Sequence, residues 1–443
     1  MASSPPAKHD PVPAAGTLEA RLKRERNPAV RLFMMLGPGL ITGASDDDPS
    51  GIGTYATAGA SMGYATLWLA WVTFPLMAAV QYICAKVGLV TGRGLAGVLR
   101  EHYPKALLYP VVLLLLIANT INAGVDVGAI GAGLNLLFPI PILVYVPVVA
   151  VLILALQIWG SYRLIARTFK WLTLALFAYI GSALCARPDF LAVLRGTFIP
   201  TVSFDAASLS MLVGILGTTI SPYLFFWQAS QEVEEKKALR RKHLWRRKGA
   251  TDNELSYAAW DVNIGMSFSN VVMYFIILAT AATLWKAGRT DIQTAADAAE
   301  ALRPLAGNAA YLLMTLGLVG SGVLAVPVLT GSSAYAVCEA FHWKLGLDKK
   351  VRDAKWFYAI IVGSTVAGAL INYVGVNPVK ALFWTAVLNG LIAPPLLVVI
   401  MLISNNKAVM GKRVNGTAIN VLGWATTVAM FAAAVALVAT WGS

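Results

Sequence analysis

The 443-residue chain is 58% hydrophobic and only 13% charged, which excludes an ordinary soluble globular protein and points to a polytopic membrane one. Its net charge of +13 would suit a nucleic-acid partner, but Lys and Arg concentrate in loops that fall on one side of a bilayer, so the lipid bilayer is expected and nucleic acid is not. Cys84, Cys185 and Cys338 lie in apolar segments without disulfide or metal-ligand spacing and are expected to be small core residues.

Residues Met1–Pro28 are rich in Pro, Ala and charge and predict a disordered cytoplasmic tail; residues 29–443 form a single transmembrane domain. About eleven spans follow, each near the roughly 20 apolar residues that cross the hydrocarbon core. They are Arg31–Met62, Leu67–Val90, Leu107–Leu137, Ile142–Trp159, Phe169–Ala186, Ala206–Ser230, Ala258–Trp285, Ala309–Phe341, Trp356–Tyr373, Val379–Ile403 and Gly423–Trp441. Arg93 and Arg100, Arg163, Arg167 and Lys170, then Lys236–Lys248, Lys344–Lys355 and Lys407–Arg413 all fall in connections on one side. The positive-inside rule then puts the N-terminus in the cytoplasm and the C-terminus outside, in the cell (inner) membrane.

The first span is interrupted by Asp46-Asp47-Asp48-Pro49-Ser50-Gly51 and the sixth by Thr218-Thr219-Ile220-Ser221-Pro222-Tyr223. Proline removes a donor and ends the preceding turn, so each span is expected to unwind there. Unwound backbone at membrane depth is tolerated only around a protein or water-filled cavity. Two breaks five spans apart make residues 31–186 and 206–403 inverted repeats, with 423–441 an added helix, and paired breaks of this kind mark a transporter site at the midplane. Half-helix C-termini aim carbonyls at that site, and with hydroxyls and a carboxylate they form a hard-oxygen environment suited to Mg²⁺, Ca²⁺ or Mn²⁺. Asp48 is the first-choice ligand; its other reading is a cap for the outer half-helix, and a charge at this depth favours the ligand. A helical step of about 100° would send Asp46, Asp47 and Asp48 in different directions, with at least one towards an aqueous vestibule.

Asp48-Pro49-Ser50-Gly51, with Gly37-Pro38-Gly39 before it and Ala58-Gly59-Ala60 after, resembles the Asp-Pro-Gly-Asn helix of the NRAMP divalent-metal transporters. Ser221-Pro222-Tyr223-Leu224 is similar to the family's Met-Pro-His-Asn segment, and Asn135-Leu136-Leu137-Phe138 and Gly331–Ala336 extend the likeness over most of the chain. The resemblance implies an all-α LeuT-like inverted-repeat fold with spans one and six discontinuous. It also implies no enzymatic activity and no cofactor, the metal being cargo for a monomer. By similarity Asp48 is the carboxylate ligand and Thr218 a carbonyl donor, with Gly51, Ser221 and Asn389 lining the site. Ser221 replaces the family's soft thioether and Gly51 its amide, a pattern like that of the Nramp-related magnesium transporters, which carry Mg²⁺ and also Mn²⁺.

The family's two histidines in the sixth helix are Tyr223 and Gln228 here, and its acidic pair in the third is Ala123 and Asp126. Asp126 could relay protons, line a vestibule with Asp46 and Asp47, or be a neutral buried acid. The expected function is secondary import of Mg²⁺, and of Mn²⁺, without obligatory proton coupling. The alternatives are a proton-coupled Mn²⁺/Fe²⁺ transporter or an amino-acid transporter on the same fold. Gly59-Ala60-Ser61-Met62-Gly63 matches a hydrolase pattern but ends a span, and Gly124 and Gly128 suit close packing within the monomer.

Overall fold

In a computed structural model, residues 37–160, 174–239, 241 and 243–440 are described. The 1–28 tail, residues 31–36 and 169–173 of the first and fifth spans, and Arg163, Arg167, Lys170, Arg240, Lys242 and Trp441 lie outside them. Leaving aside helices of fewer than eight residues, the chain runs α1 (Pro38–Asp46), α2 (Pro49–Met62), α3 (Leu69–Thr91), α4 (Leu95–His102), α5 (Lys105–Leu137) and α6 (Ile142–Trp159). It continues through α7 (Ala178–Cys185), α8 (Phe190–Phe198), α9 (Ala206–Thr219), α10 (Pro222–Ala238) and α11 (Asp252–Thr280). The last four are α12 (Ala310–Phe341), α13 (Lys355–Ile371), α14 (Pro378–Asn405) and α15 (Thr417–Thr440).

Among the described residues nine helical segments are long and apolar enough to cross a membrane, α9 with α10 counting as one. The first expected span is the pair α1 and α2, each too short alone, and the fifth contributes α7 from its described part. Both expected breaks are present, at Asp47–Asp48 and at Ile220–Ser221. Prolines at 75, 110, 147, 327, 394 and 395 sit inside unbroken helices. What distinguishes Pro49 is Asp48, whose side chain caps the new helix by accepting from Gly51 N, with Pro49 in its first turn.

The broken helices occupy the middle of the bundle. Long helices shield them, and α15 presents Val421, Trp424, Val428, Phe431, Val435 and Val438 outwards at three- and four-residue spacing, an apolar stripe exposed on the surface of the bundle. Cys84 and Cys338 are buried as expected, but Cys185 is exposed because it ends the short peripheral α7.

Glycine sets how closely the inner helices approach. α1 lies on α11 backbone to backbone: a Cβ on Gly43 would collide with the Gly265 carbonyl, and one on Gly265 with the Gly39 carbonyl. In the same way Gly124 of α5 meets Gly368 of α13, so the small-residue pair does pack within the chain, and Asn372 closes the crossing by donating to Gly124 O at 2.8 Å.

Gly43→Val forces the α1/α11 crossing apart, since the obstructing atoms are backbone. It should cost about 2 kcal/mol or more, seen as a lower thermal midpoint in detergent; an unchanged midpoint would show that the helices are free to separate.

Candidate metal site

The site begins with the dihedral angles of two residues. Asp47, at φ −81° and ψ 52°, ends α1, and Asp48, at φ −67° and ψ 168°, runs extended into α2. The 100° helical step therefore does not apply across Asp47, and the three carboxylates do not fan out as expected. Asp46 and Asp47 turn to one hydroxyl, Ser269 Oγ of α11, at 2.6 and 3.1 Å. Asp48 turns the other way.

Asp48 combines both roles weighed for it. Its Oδ1 accepts from Ser50 Oγ and Gly51 N, each at 2.7 Å, which is the cap. Its Oδ2 accepts from Asn122 Nδ2 of α5 at 3.1 Å and lies 3.5 Å from the Tyr223 hydroxyl of α10. The Tyr223 proton is directed to the Ser45 carbonyl at 2.8 Å, so that oxygen of Asp48 is only lightly held.

Across the gap, Ser221 Oγ donates back to the Gly217 and Thr218 carbonyls at 2.9 and 2.7 Å. A carbonyl has two acceptor sites, so Thr218 O keeps one for a further partner. Gly51 faces this end of α9: a Cβ there would lie 3.1 Å from Thr218 Oγ1 and 3.3 Å from the Asp46 carbonyl. Position 51 therefore holds a narrow space in which those two oxygens and Asp48 approach one another.

The remaining expected residues make no hydrogen bond to Asp48. Asp126 is one turn beyond Asn122 on α5, fully buried, and neither of its oxygens has a hydrogen-bond partner. Asn389 is buried on α14 with its Nδ2 unpartnered, beside Gly390, which packs against α9. Gln228 does not join Asp48; it accepts from Thr42 Oγ1 at 2.6 Å and donates to Glu232 at 2.9 Å. None of these four carboxylates faces open water in this conformation: Asp46, Asp47 and Asp126 are 0% exposed and Asp48 1%. The vestibule expected for Asp46 and Asp47 is shut because Ser269 and its helix cover them.

The chemistry of this arrangement follows from its charge balance. Among the described residues every hydrogen-bond partner of these four acids is a neutral hydroxyl, amide or backbone N–H. Buried carboxylates without an internal counter-charge need a proton or a cation. Among the described residues no three His, Cys, Asp or Glu side chains converge as a metal-binding group, so a cation here would meet one carboxylate and neutral oxygens. The described histidines, His102, His243 and His342, stand at helix ends.

A family model, Natural resistance-associated macrophage protein-like, matches residues 39–440. The chain belongs to the Nramp family. Membership and the long apolar helices make this Nramp protein an integral membrane protein of metal-ion transport. Its fold is similar to that of the Eremococcus coleocola manganese transporter in complex with an aromatic bis-isothiourea substituted compound, at TM-score 0.74 and 21% identity over 94% of this chain and 88% of that one. It is also similar to Mhp1, a nucleobase-cation-symport-1 family transporter, at TM-score 0.55 and 13% identity over 91% of this chain and 93% of that one. MhsT in complex with L-phenylalanine matches at TM-score 0.52 and 15% identity over 91% of this chain and 97% of that one. These likenesses show an all-α LeuT-like fold for this Nramp protein.

Sequence reasoning missed Asn122, Ser269, Ser50 and Thr42. A signal existed for Asn122: it is an amide in an apolar span, four residues before Asp126 and hence on its face. Ser269 had none, since serine in a membrane helix commonly bonds its own preceding turn.

Asn122→Ala removes the one amide donor to Asp48 Oδ2. A hydrogen bond to a charged group contributes about 1.5–3 kcal/mol, so the ion-free protein should unfold at a lower temperature by scanning calorimetry. An equal midpoint would show that this bond holds nothing in place.

Proposed function

We propose that this Nramp protein is a secondary transporter that imports Mg²⁺, and Mn²⁺ as well, by alternating access and without obligatory proton coupling. The observation that carries the reading is the donor set around Asp48: one lightly held carboxylate oxygen, carbonyls, hydroxyls and an amide. Hard oxygens of this kind suit Mg²⁺, which binds through one or two carboxylates while keeping several waters. Asp48 would be the carboxylate ligand and Thr218 the carbonyl donor, with Gly51, Ser221 and Asn389 lining the space. Ser221 offers a hydroxyl where the family's thioether would favour softer ions, and Gly51 offers no ligand at all. A neighbour of the same fold is a manganese transporter, which supports Mn²⁺ as a second cargo.

Tyr223 and Gln228 supply no imidazole beside Asp48, which supports transport driven by the ion gradient and membrane potential. Two charges crossing the field gain roughly 4.6 kcal/mol per 100 mV. Asp126 is the observation that favours the second reading, a proton-coupled Mn²⁺/Fe²⁺ transporter, because a buried acid without partners can carry a proton. An amino-acid substrate is disfavoured, since Asp48 would repel its carboxylate. The protein works as a monomeric single domain of two inverted repeats in the cell's inner membrane, with its N-terminus in the cytoplasm and Asp46 and Asp47 lining the route when it opens.

Proteoliposome uptake with internal pH recorded tests the reading. Mg²⁺ should compete with Mn²⁺ for uptake and the lumen should not acidify; Mn²⁺ uptake indifferent to excess Mg²⁺, or acidification tracking the metal, overturns the respective half. Asp48→Ala should abolish uptake in folded protein, and full activity would remove Asp48 from the site. Ser221→Met should shift relative uptake about tenfold towards Mn²⁺, while an unchanged ratio would mean that position 221 does not select.

A further inference from the structure

The inner half of the broken first helix is short, and its two ends are held differently. At its C-terminal end the non-helical Asp47 and Asp48 form a joint with no helical hydrogen bonds across it. At its N-terminal end the Asp261 carboxylate of α11 accepts three backbone N–H groups, from Gly37 at 2.9 Å and Leu40 at 3.0 Å on Oδ1 and from Gly39 at 2.6 Å on Oδ2. A helix leaves its first N–H groups unsatisfied and carries positive charge there, so a buried carboxylate is a strong partner for them. Among the described residues no side chain of the helix itself caps this end, because the N-cap is Gly37. Asp261 caps it from another helix.

Two further observations give this contact a mechanical meaning. Gly39, Gly43 and Gly265 bring α1 and α11 to backbone contact, so α1 lies flat on α11. On its other side α1 is joined to α10 by Thr42 Oγ1 on Gln228 and by the Tyr223 hydroxyl on the Ser45 carbonyl. A rigid rod of nine residues pivoting at Asp47–Asp48 spans about 13 Å, so its free end moves farthest. The carboxylate of Asp261 sits at that end.

We propose that Asp261 is a positioning residue, the latch of the inner gate: it holds α1 shut against α11, and its release lets α1 swing about the Asp47–Asp48 joint and open Asp48 to the side on which α1 begins. This goes beyond the choice of ion, because the latch acts on backbone N–H groups and touches no ligand. Asn at 261 keeps the shape and one acceptor but loses the charge and the second anionic oxygen, so it weakens the latch without emptying the space.

The test is sided thiol accessibility in right-side-out and everted vesicles, with a membrane-impermeant charged maleimide and the exposed Cys185 replaced by Ser. Ala44→Cys reports the α1 side, since Ala44 belongs to the apolar cluster that holds Tyr223, Leu224 and Trp227 of α10, and Ala298→Cys reports the opposite side, where Ala298 lines a small cavity with Gly53, Ala56 and Leu318. Asp261→Asn and Asp261→Ala should speed labelling at position 44 at least fivefold and slow it at 298, with uptake KM raised by the same population shift. Faster labelling at both positions would mean a loosened fold, and unchanged labelling at 44 would mean no latch; either overturns the proposal. Should Asp261→Ala fail to fold, Asp261→Asn decides. If neither folds, hydrogen exchange in the Ala44→Cys protein with Asp261 intact decides: residues 37–42 should lose protection under the conditions in which position 44 labels fastest, and their constant protection overturns the proposal.

Discussion

The structure depends on one constraint: a chain that unwinds inside a bilayer must find partners for its freed backbone groups within the protein. At Asp47–Asp48 those partners are the Asp48 carboxylate, which caps the outer half-helix, and the Tyr223 hydroxyl, which donates to the Ser45 carbonyl left free by Pro49. At Ile220–Ser221 the Ser221 hydroxyl folds back on the carbonyls of its own preceding turn. Each solution leaves some oxygen under-used, notably Asp48 Oδ2, the Thr218 carbonyl and the Asp46 carbonyl beside Gly51. A cation passing between the half-helices would meet the groups that helical regularity normally consumes.

The same constraint accounts for the electrostatics. Asp46, Asp47, Asp48 and Asp126 are buried, and the hydrogen-bond partners they have are neutral. Basic side chains are employed elsewhere: Lys236 binds the carbonyls of Leu89, Arg247 and Gly249 at a helix end, and Arg241 pairs with Glu254. A lysine beside Asp48 would satisfy its charge permanently and close the site to divalent ions. Keeping the charge open costs stability, which the close glycine-mediated packing of α1 on α11 offsets.

The apolar run lengths determined the spans, and the two breaks were legible because a polar residue precedes the proline in both. Phe74, Tyr109, Val146, Val326 and Ala393 precede the prolines that leave helices intact, and none of them can cap a new helix or stand in for a lost backbone donor. The breaks gave the expected pairing of repeats and the prominence of Asp48, and the resemblance carried by the motifs around them implied the LeuT-like fold. Cys185 was misplaced because apolar run length does not report whether a short helix sits at the periphery.

Only the tertiary structure decided where the side chains at the gap point. That Asp46 and Asp47 share Ser269 depends on where α11 packs against the broken helix, which no residue near them in the chain specifies. Asn122 reaches Asp48 across 74 positions and Asp261 reaches Gly39 across 222, distances at which spacing along the chain carries no information about contact. Local chemistry thus determined by itself that the helix stops and that a carboxylate stands at the stop. Which donors quiet that carboxylate, and which helix caps the start of the inner half-helix, depended on the angle at which glycine faces let distant helices meet.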